Sequence, residues 1–183
     1  MPHPLEIEYG LTSQELLDAI DRRFRLKVAL EGAVAEVHFE RKLKIASQEG
    51  WLESFDEHDV DGMHDFTAVT LDSNRIRVEV KTLRKPKPLK SRVKLEVEIQ
   101  KTRASKEDAS SRYYDRDHFD VVAVCMGRYT KDWSQFRYIL VRDIPDHSSH
   151  AGKLRVMNEV ELDPVQGSVW YTKFQDVVDA LHN

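Results

Sequence analysis

Thirteen residues separate Asp65 from Glu79, and Glu79 opens the tripeptide Glu79-Val80-Lys81. Two carboxylates and an amine gathered at one point are what metal-assisted phosphodiester cleavage requires. The acids hold a divalent cation, while the ammonium steadies the attacking water or helps deprotonate it, and offsets charge developing on phosphorus. Magnesium prefers hard oxygen ligands, usually one or two carboxylates with water and substrate phosphate completing the shell. Mg²⁺ is therefore the expected cofactor, with Mn²⁺ as a substitute. The competing reading is a plain hairpin in which Glu79 and Lys81 form a surface ion pair.

The flanking residues can position this set. The stretch 66–71 reads as a short strand, Asp72-Ser73-Asn74 has turn chemistry, and 75–82 alternates strictly. On the second strand Ile76, Val78 and Val80 share one face, and Arg75, Arg77, Glu79 and Lys81 share the other. Glu79 and Lys81 then stand side by side, about 7 Å apart along the chain. Residues 53–65 hold six acids and two histidines, His58 and His64, with no Lys or Arg. That is either a solvated loop or an acidic approach to a cation, and the two are compatible.

His64-Asp65 followed by Glu79-Val80-Lys81 resembles the signature of the PD-(D/E)XK nuclease superfamily, with His64 where the pattern often has proline. The setting resembles the superfamily core as well. A long helical pattern precedes the motif; a helix-like stretch and the apolar run 119–124 follow it. The resemblance implies a restriction-endonuclease-like αβββαβ core over about 26–141 within a single domain spanning 1–183: a mixed central β-sheet flanked by helices. It also implies the Val80 carbonyl as a further metal ligand and an extra carboxylate from the long helix. Glu36 is preferred for that carboxylate over Glu31 and Glu40, because Gly32, Ala33 and Ala35 suggest close packing there. Gln100 and Lys101 stand where some members carry an extra polar residue.

One ambiguity remains open. Residues 93–102 also alternate, with Val93, Leu95, Val97 and Ile99 on one face and Lys94, Glu96, Glu98 and Gln100 on the other. That strand could be the motif strand, with Glu79 as the first acid and Glu98 and Gln100 standing where the motif usually has Glu and Lys. The hairpin assignment is preferred because its lysine is present.

Net charge is −4, but this average hides a strong asymmetry. Residues 81–106 hold ten Lys or Arg against Glu96 and Glu98. A basic segment after the candidate lysine is the electrostatic footprint of a polyphosphate ligand. Arg84, Lys85, Lys87, Lys101, Arg103, Lys106 and Arg112 are the expected grips on DNA, and Tyr113 or Tyr114 could stack on a base or, as is commoner, pack. His147 and His150 lack the partners of a zinc site.

Elsewhere, residues 1–10 carry two prolines and read as an irregular arm. Thr12 or Ser13 caps a helix running toward Phe24, and a second helical pattern runs through Val28, Ala29, Ala33, Val37, Phe39 and Leu43 to about Ser47; a break near Leu26 is undecided. Gly50-Trp51 leads into an edge strand. Residues 105–117 read as partly helical, 121–126 and 136–141 as strands, 143–167 as loop, and 170–181 as a closing helix. The lone Cys125 reads as a small buried hydrophobe. No apolar run is long enough to cross a bilayer and no signal-peptide pattern opens the chain, so a cytoplasmic location is expected. The function expected is metal-dependent hydrolysis of DNA, by an endonuclease, with homodimerisation possible. An inactive DNA-binding module of the same fold, a protein-interaction domain, or an RNA substrate are the alternatives.

Overall fold

The computed structural model describes residues 1–90, 92–102 and 105–182. By its contacts the chain divides into two compact units, Met1–Val34 and Ala35–Asn183. No helix is long and apolar enough to cross a membrane among the described residues.

The first unit is helical. Residues 1–10 are not an irregular arm: Pro4–Tyr9 forms a helix, α1. Pro4 sits in the first turn, where its missing N–H would have had no partner. His3 caps the helix and Glu6 answers from the third position, bonding the His3 N–H at 2.6 Å. Helix α2, Ser13–Asp21, repeats the device with Thr12 and Glu15. A break at Arg22-Arg23 then leads into α3, Phe24–Gln48, which ends in the second unit.

On α3 the buried stripe is Ala35, Phe39, Leu43 and Ala46, spaced at helical period. Val28 and Val37, both expected on the apolar face, are exposed. Val37 lies two residues from Ala35, which on a helix is the far side. After α3 come β1 (Leu52–Glu57), β2 (Phe66–Thr70) and β3 (Arg75–Thr82). Short strands β4 (Lys87–Pro88), β5 (Val93–Lys94) and β6 (Glu96–Glu98) follow. Then come β7 (Val121–Cys125), a one-turn helix α4 (Gly127–Thr130) and β8 (Phe136–Leu140). The chain closes with β9 (Met157–Glu159), β10 (Trp170–Tyr171) and α5 (Phe174–Leu181).

Six strands form a mixed central sheet in the order β1-β2-β3-β7-β8-β10. β1, β2 and β3 make an antiparallel meander, β3 and β7 run parallel, and β8 and β10 return antiparallel. The two helices that pack in this unit share one face: Phe39 and Leu43 from α3 and Phe174 and Val177 from α5 meet Ile76, Val78, Val80, Val121 and Ala123. Phe39 is central, its ring 5.4 Å from Phe66, 5.6 Å from Phe136 and 5.4 Å from Phe174. Phe39→Ala should cost about 3–5 kcal/mol, typical of a large buried aromatic. Chemical denaturation would register it as a lower midpoint at unchanged slope; a loss under 1 kcal/mol would mean that the core does not depend on this ring.

The opposite face of the sheet is covered differently. Its lid contains Leu95, Val97, Ile99, Tyr114, Phe119, Ile144 and Leu154, and much of it is irregular chain. Three expectations change here. Residues 93–102 are not one strand: Val93–Lys94 pairs with Lys87–Pro88, while Glu96–Glu98 pairs with Met157–Glu159. That second partner lies inside the segment read as loop. Residues 105–117 contribute only a 3-10 turn, Ala109–Arg112, with Asp108 capping Ser110 N–H at 2.8 Å. Trp170–Tyr171 is an edge strand, and the closing helix starts at Phe174. For residues 96–98 the alternation reported which side is buried, and the partner was supplied by chain far away.

Candidate active site

Strand register brings the chemistry together. Phe66 stands opposite Val78 on the antiparallel hairpin, so Asp65, the next residue outward, comes level with Glu79. The parallel neighbour β7 sets Glu79 opposite Val122 and Lys81 opposite Val124, which places both side chains on the lidded face. Arg77 locks this register. Its backbone N–H and guanidinium bind Asp120, at 2.8 Å and 2.7 Å respectively, just before β7.

The Asp65 carboxylate accepts the Val80 N–H at 2.7 Å, and its backbone carbonyl accepts the His58 N–H at 2.8 Å. Glu79 is 2 % exposed. One of its oxygens, Oε1, accepts from the Lys81 ammonium and from the Tyr114 hydroxyl, the latter at 2.5 Å. The other, Oε2, is buried without a hydrogen-bond partner. Lys81 Nζ also reaches Tyr114 Oη at 3.4 Å and lies 5.4 Å from the ring. On the Tyr114 ring there is a further cation, Lys101, at 5.7 Å.

The electrostatics follow from two acids sharing a buried site with one ammonium. Burial first, and the Glu79 charge second, push the Asp65 pKa up to about 7, against the opposing pull of Lys81 and the Val80 N–H. Burial opposes the charge on Lys81, yet Glu79, Tyr114 and Asp65 together raise its pKa above the ordinary lysine value. Lys81 is therefore a cation throughout the neutral range. It can donate to water or phosphate, but it is not poised to take a proton, which narrows the role read from sequence. Tyr114 is held above its usual pKa, chiefly by burial, and stays a neutral donor.

Glu36 is half-buried, and its pKa is raised by burial, then lowered by Lys81 and raised by Glu57, Glu79 and Asp59. Its carboxylate is thus within electrostatic range of the same centre. Glu40 is engaged by Lys44 at 2.6 Å. The close packing inferred at Gly32 is absent, since nothing lies within 4 Å of where a Cβ would stand. Gln100 turns to Glu98, whose other oxygen accepts from Arg84 at 2.8 Å. The Glu98-Gln100 pair is thereby occupied with Arg84, while Asp65 shares its field with Glu79 and Lys81.

Among the expected phosphate grips, Arg84 is bound to Glu98 and Lys87 to Glu96. Arg112 donates to the Lys101 carbonyl at 3.4 Å, Lys85 and Lys106 are exposed, and Arg103 lies outside the described residues. Pairing of two of the seven with carboxylates makes the basic segment a weaker anion surface than its composition suggested.

From sequence Tyr114 was read as a side chain that stacks on a base or packs, not as a partner of Glu79. It lies 35 positions from Glu79 in irregular chain, and no spacing rule connects them. Tyr114→Phe removes the donor to Glu79 Oε1 while keeping the ring. Loss of one buried hydrogen bond to a charged group should cost about 1.5–3 kcal/mol. A thermal melt unchanged within error would show that the hydroxyl contributes nothing.

A second acidic group was also missed. Asp115, Asp117 and His118 place three possible ligand atoms within 4.8 Å of one another among the described residues. Asp115 already binds Lys153 at 2.8 Å, and His118 Nε2 is 3.0 Å from the Gly62 carbonyl.

The Asp65–Glu79 donor set fits a hard divalent cation. It offers carboxylate oxygens only, one of them buried and unpartnered, in a site where a second positive charge would offset the burial and the Glu79 charge that together hold Asp65 near pKa 7.

No protein-family model matches the chain, and no curated protein matches it. Among solved structures it is similar to a bacterial homing endonuclease, I-Ssp6803I, with a TM-score of 0.45 and 14 % identity over 77 % of this chain and 80 % of that one. A likeness that distant carries no inference about chemistry.

Proposed function

We propose that the chain is a metal-dependent nuclease that hydrolyses DNA phosphodiester bonds as an endonuclease of the PD-(D/E)XK type. The observation that carries this reading is the buried Glu79 carboxylate: one oxygen is fixed by Lys81 and Tyr114, and the other is left without a partner beside Asp65. A buried carboxylate oxygen without a partner is costly, and a bound cation would satisfy it. The order of elements, a long helix, three meandering strands, then a strand parallel to the third, also accords with the superfamily core, although a single 3-10 turn stands for the second helix.

In this reading Asp65 and Glu79, with the Val80 carbonyl, hold Mg²⁺, and Mn²⁺ substitutes. When bound, such a cation polarises a phosphate oxygen and acidifies water. Val80 N–H fixes the Asp65 carboxylate from the backbone, and Tyr114 orients Glu79. Lys81, permanently charged, donates to the attacking water or a phosphate oxygen and offsets charge as it develops. Glu36 sits at the rim as an auxiliary acid. Gln100 and Lys101 assist from the adjoining segment, and exposed Lys85 and Lys106 guide the DNA backbone by charge.

The test is plasmid cleavage with Mg²⁺, Mn²⁺ or EDTA, alongside a Glu79→Gln variant that keeps the shape and removes the charge. Cutting that requires metal and falls at least about a hundredfold in the variant supports the assignment. Metal-independent cutting, or equal cutting by both proteins, refutes it. Salt-sensitive DNA retention without any cutting would point to the inactive binding module.

A further inference from the structure

Phe66 is the first paired residue of β2, opposite Glu57 on one side and Val78 on the other, so Asp65 lies just outside the ladder. Ladder ends open at little cost unless side chains hold them. Thr67, two residues further in, shares a face with Asp65 and is 2 % exposed. Its hydroxyl oxygen lies 2.7 Å from His64 Nε2 and 2.9 Å from His58 Nε2, and the two imidazoles meet edge-on with centroids 5.1 Å apart. A hydroxyl has one proton and two lone pairs, so it serves both nitrogens at once. We infer that Thr67 is a positioning residue: its hydroxyl, shared by His58 and His64, fixes the backbone at Asp65 and so sets how tightly that carboxylate holds a divalent cation, a role that rests on the metal site of the nuclease reading.

The contacts bracket Asp65. His64 precedes it in the chain, and the His58 N–H binds its carbonyl at 2.8 Å. Between the two histidines the chain turns at 60–63, with the Met63 N–H on the Val60 carbonyl at 3.0 Å, and His118 Nε2 lies 3.0 Å from the Gly62 carbonyl. The Val80 N–H fixes the carboxylate itself, at 2.7 Å, whereas Thr67 acts one step back, on the main chain from which that carboxylate projects. A ligand left free to swing must be ordered as the cation binds, and that lost entropy weakens affinity. Partners that orient a metal ligand are worth about 10–100-fold in affinity. The imidazoles are not a cation site of their own, since both Nε2 atoms are engaged by the hydroxyl.

The Mg²⁺ dissociation constant of the full chain, read without DNA from the rise in urea midpoint with added MgCl₂, tests this apart from cleavage. Thr67→Val keeps the shape and removes the hydroxyl, and it should weaken Mg²⁺ binding by about 10–100-fold. Thr67→Ser keeps the hydroxyl and should bind as the wild type does, which a purely packing role for Thr67 would not produce. His58→Phe, at a half-buried position, keeps a ring and loses the nitrogen, and it should weaken binding by about tenfold. Urea midpoints in EDTA establish that each variant is folded, and if Thr67→Val is not, His58→Phe decides. Wild-type affinity in Thr67→Val and His58→Phe overturns the inference and leaves the nuclease reading standing. Serine as weak as valine overturns it as well. A wild type that binds no Mg²⁺ removes the metal site itself, and both fall.

Discussion

On the proposed nuclease reading, replacing Lys81 with alanine should lower metal-dependent DNA cleavage by about two to three orders of magnitude, the usual effect of deleting one preorganised charge from a reacting centre. The expectation rests on three features. The ammonium is pinned to Glu79 and Tyr114, its side chain is largely buried, and its pKa is raised, so its charge is present wherever the protein works. The same substitution strands Glu79 as an uncompensated buried charge, which costs about 3–5 kcal/mol when one partner of a buried pair is removed. Activity and stability therefore fall together, and one variant cannot separate them. The double variant Lys81→Met with Glu79→Gln does, because a neutral pair of similar volume restores stability while cleavage stays lost. Kinetics at saturating Mg²⁺ with parallel urea titrations decide the matter. Full cleavage by either protein would remove Lys81 from the mechanism.

Asp65→Asn should move stability and activity in opposite directions. An acid whose folded pKa is about 7 against an ordinary 3.8 binds its proton more tightly when folded. Below pH 4 both states are protonated, and the site costs nothing. Between pH 4 and 7 the unfolded chain ionises while the folded site does not, so stability declines; above 7 the deficit is constant. A shift of that size corresponds to on the order of 4 kcal/mol, as an upper figure. Asparagine removes the titration and can still accept the Val80 N–H, so in EDTA the variant should gain up to about 4 kcal/mol at pH 8 and nothing at pH 3.5. Added Mg²⁺ should stabilise the wild type by mass action and leave the variant unmoved, and the variant should not cleave. Equal urea midpoints for the two proteins at pH 8 would show that folding does not raise the Asp65 pKa.

Such a trade is expected of a site kept for chemistry. Most of the molecule was legible from local pattern. The capped helix at Thr12, the alternating strand at Arg75–Thr82 and the apolar strand at Val121 all announce themselves, because period and end chemistry are local properties. Helix α1 was obscured by two prolines, Pro2 ahead of its cap and Pro4, which proved to be the helix starter. The 3-10 turn at Ala109–Arg112 and the pairing of Glu96–Glu98 with Met157–Glu159 could not be read, since a short polar or alternating segment takes whatever partner the fold presents.

By itself the sequence determined that Asp65 and Glu79 would come level across a hairpin, with Lys81 on the same face as Glu79, because side-chain direction along a strand repeats every two residues. Only the tertiary structure decided that this face is lidded rather than solvated. The Tyr114 hydroxyl arrives from distant irregular chain, one Glu79 oxygen is left unpartnered, and Asp65 loses enough water for its pKa to rise. Burial depends on what packs above a residue, and no local pattern encodes that; the same three side chains on an open sheet would be an ordinary surface ion pair.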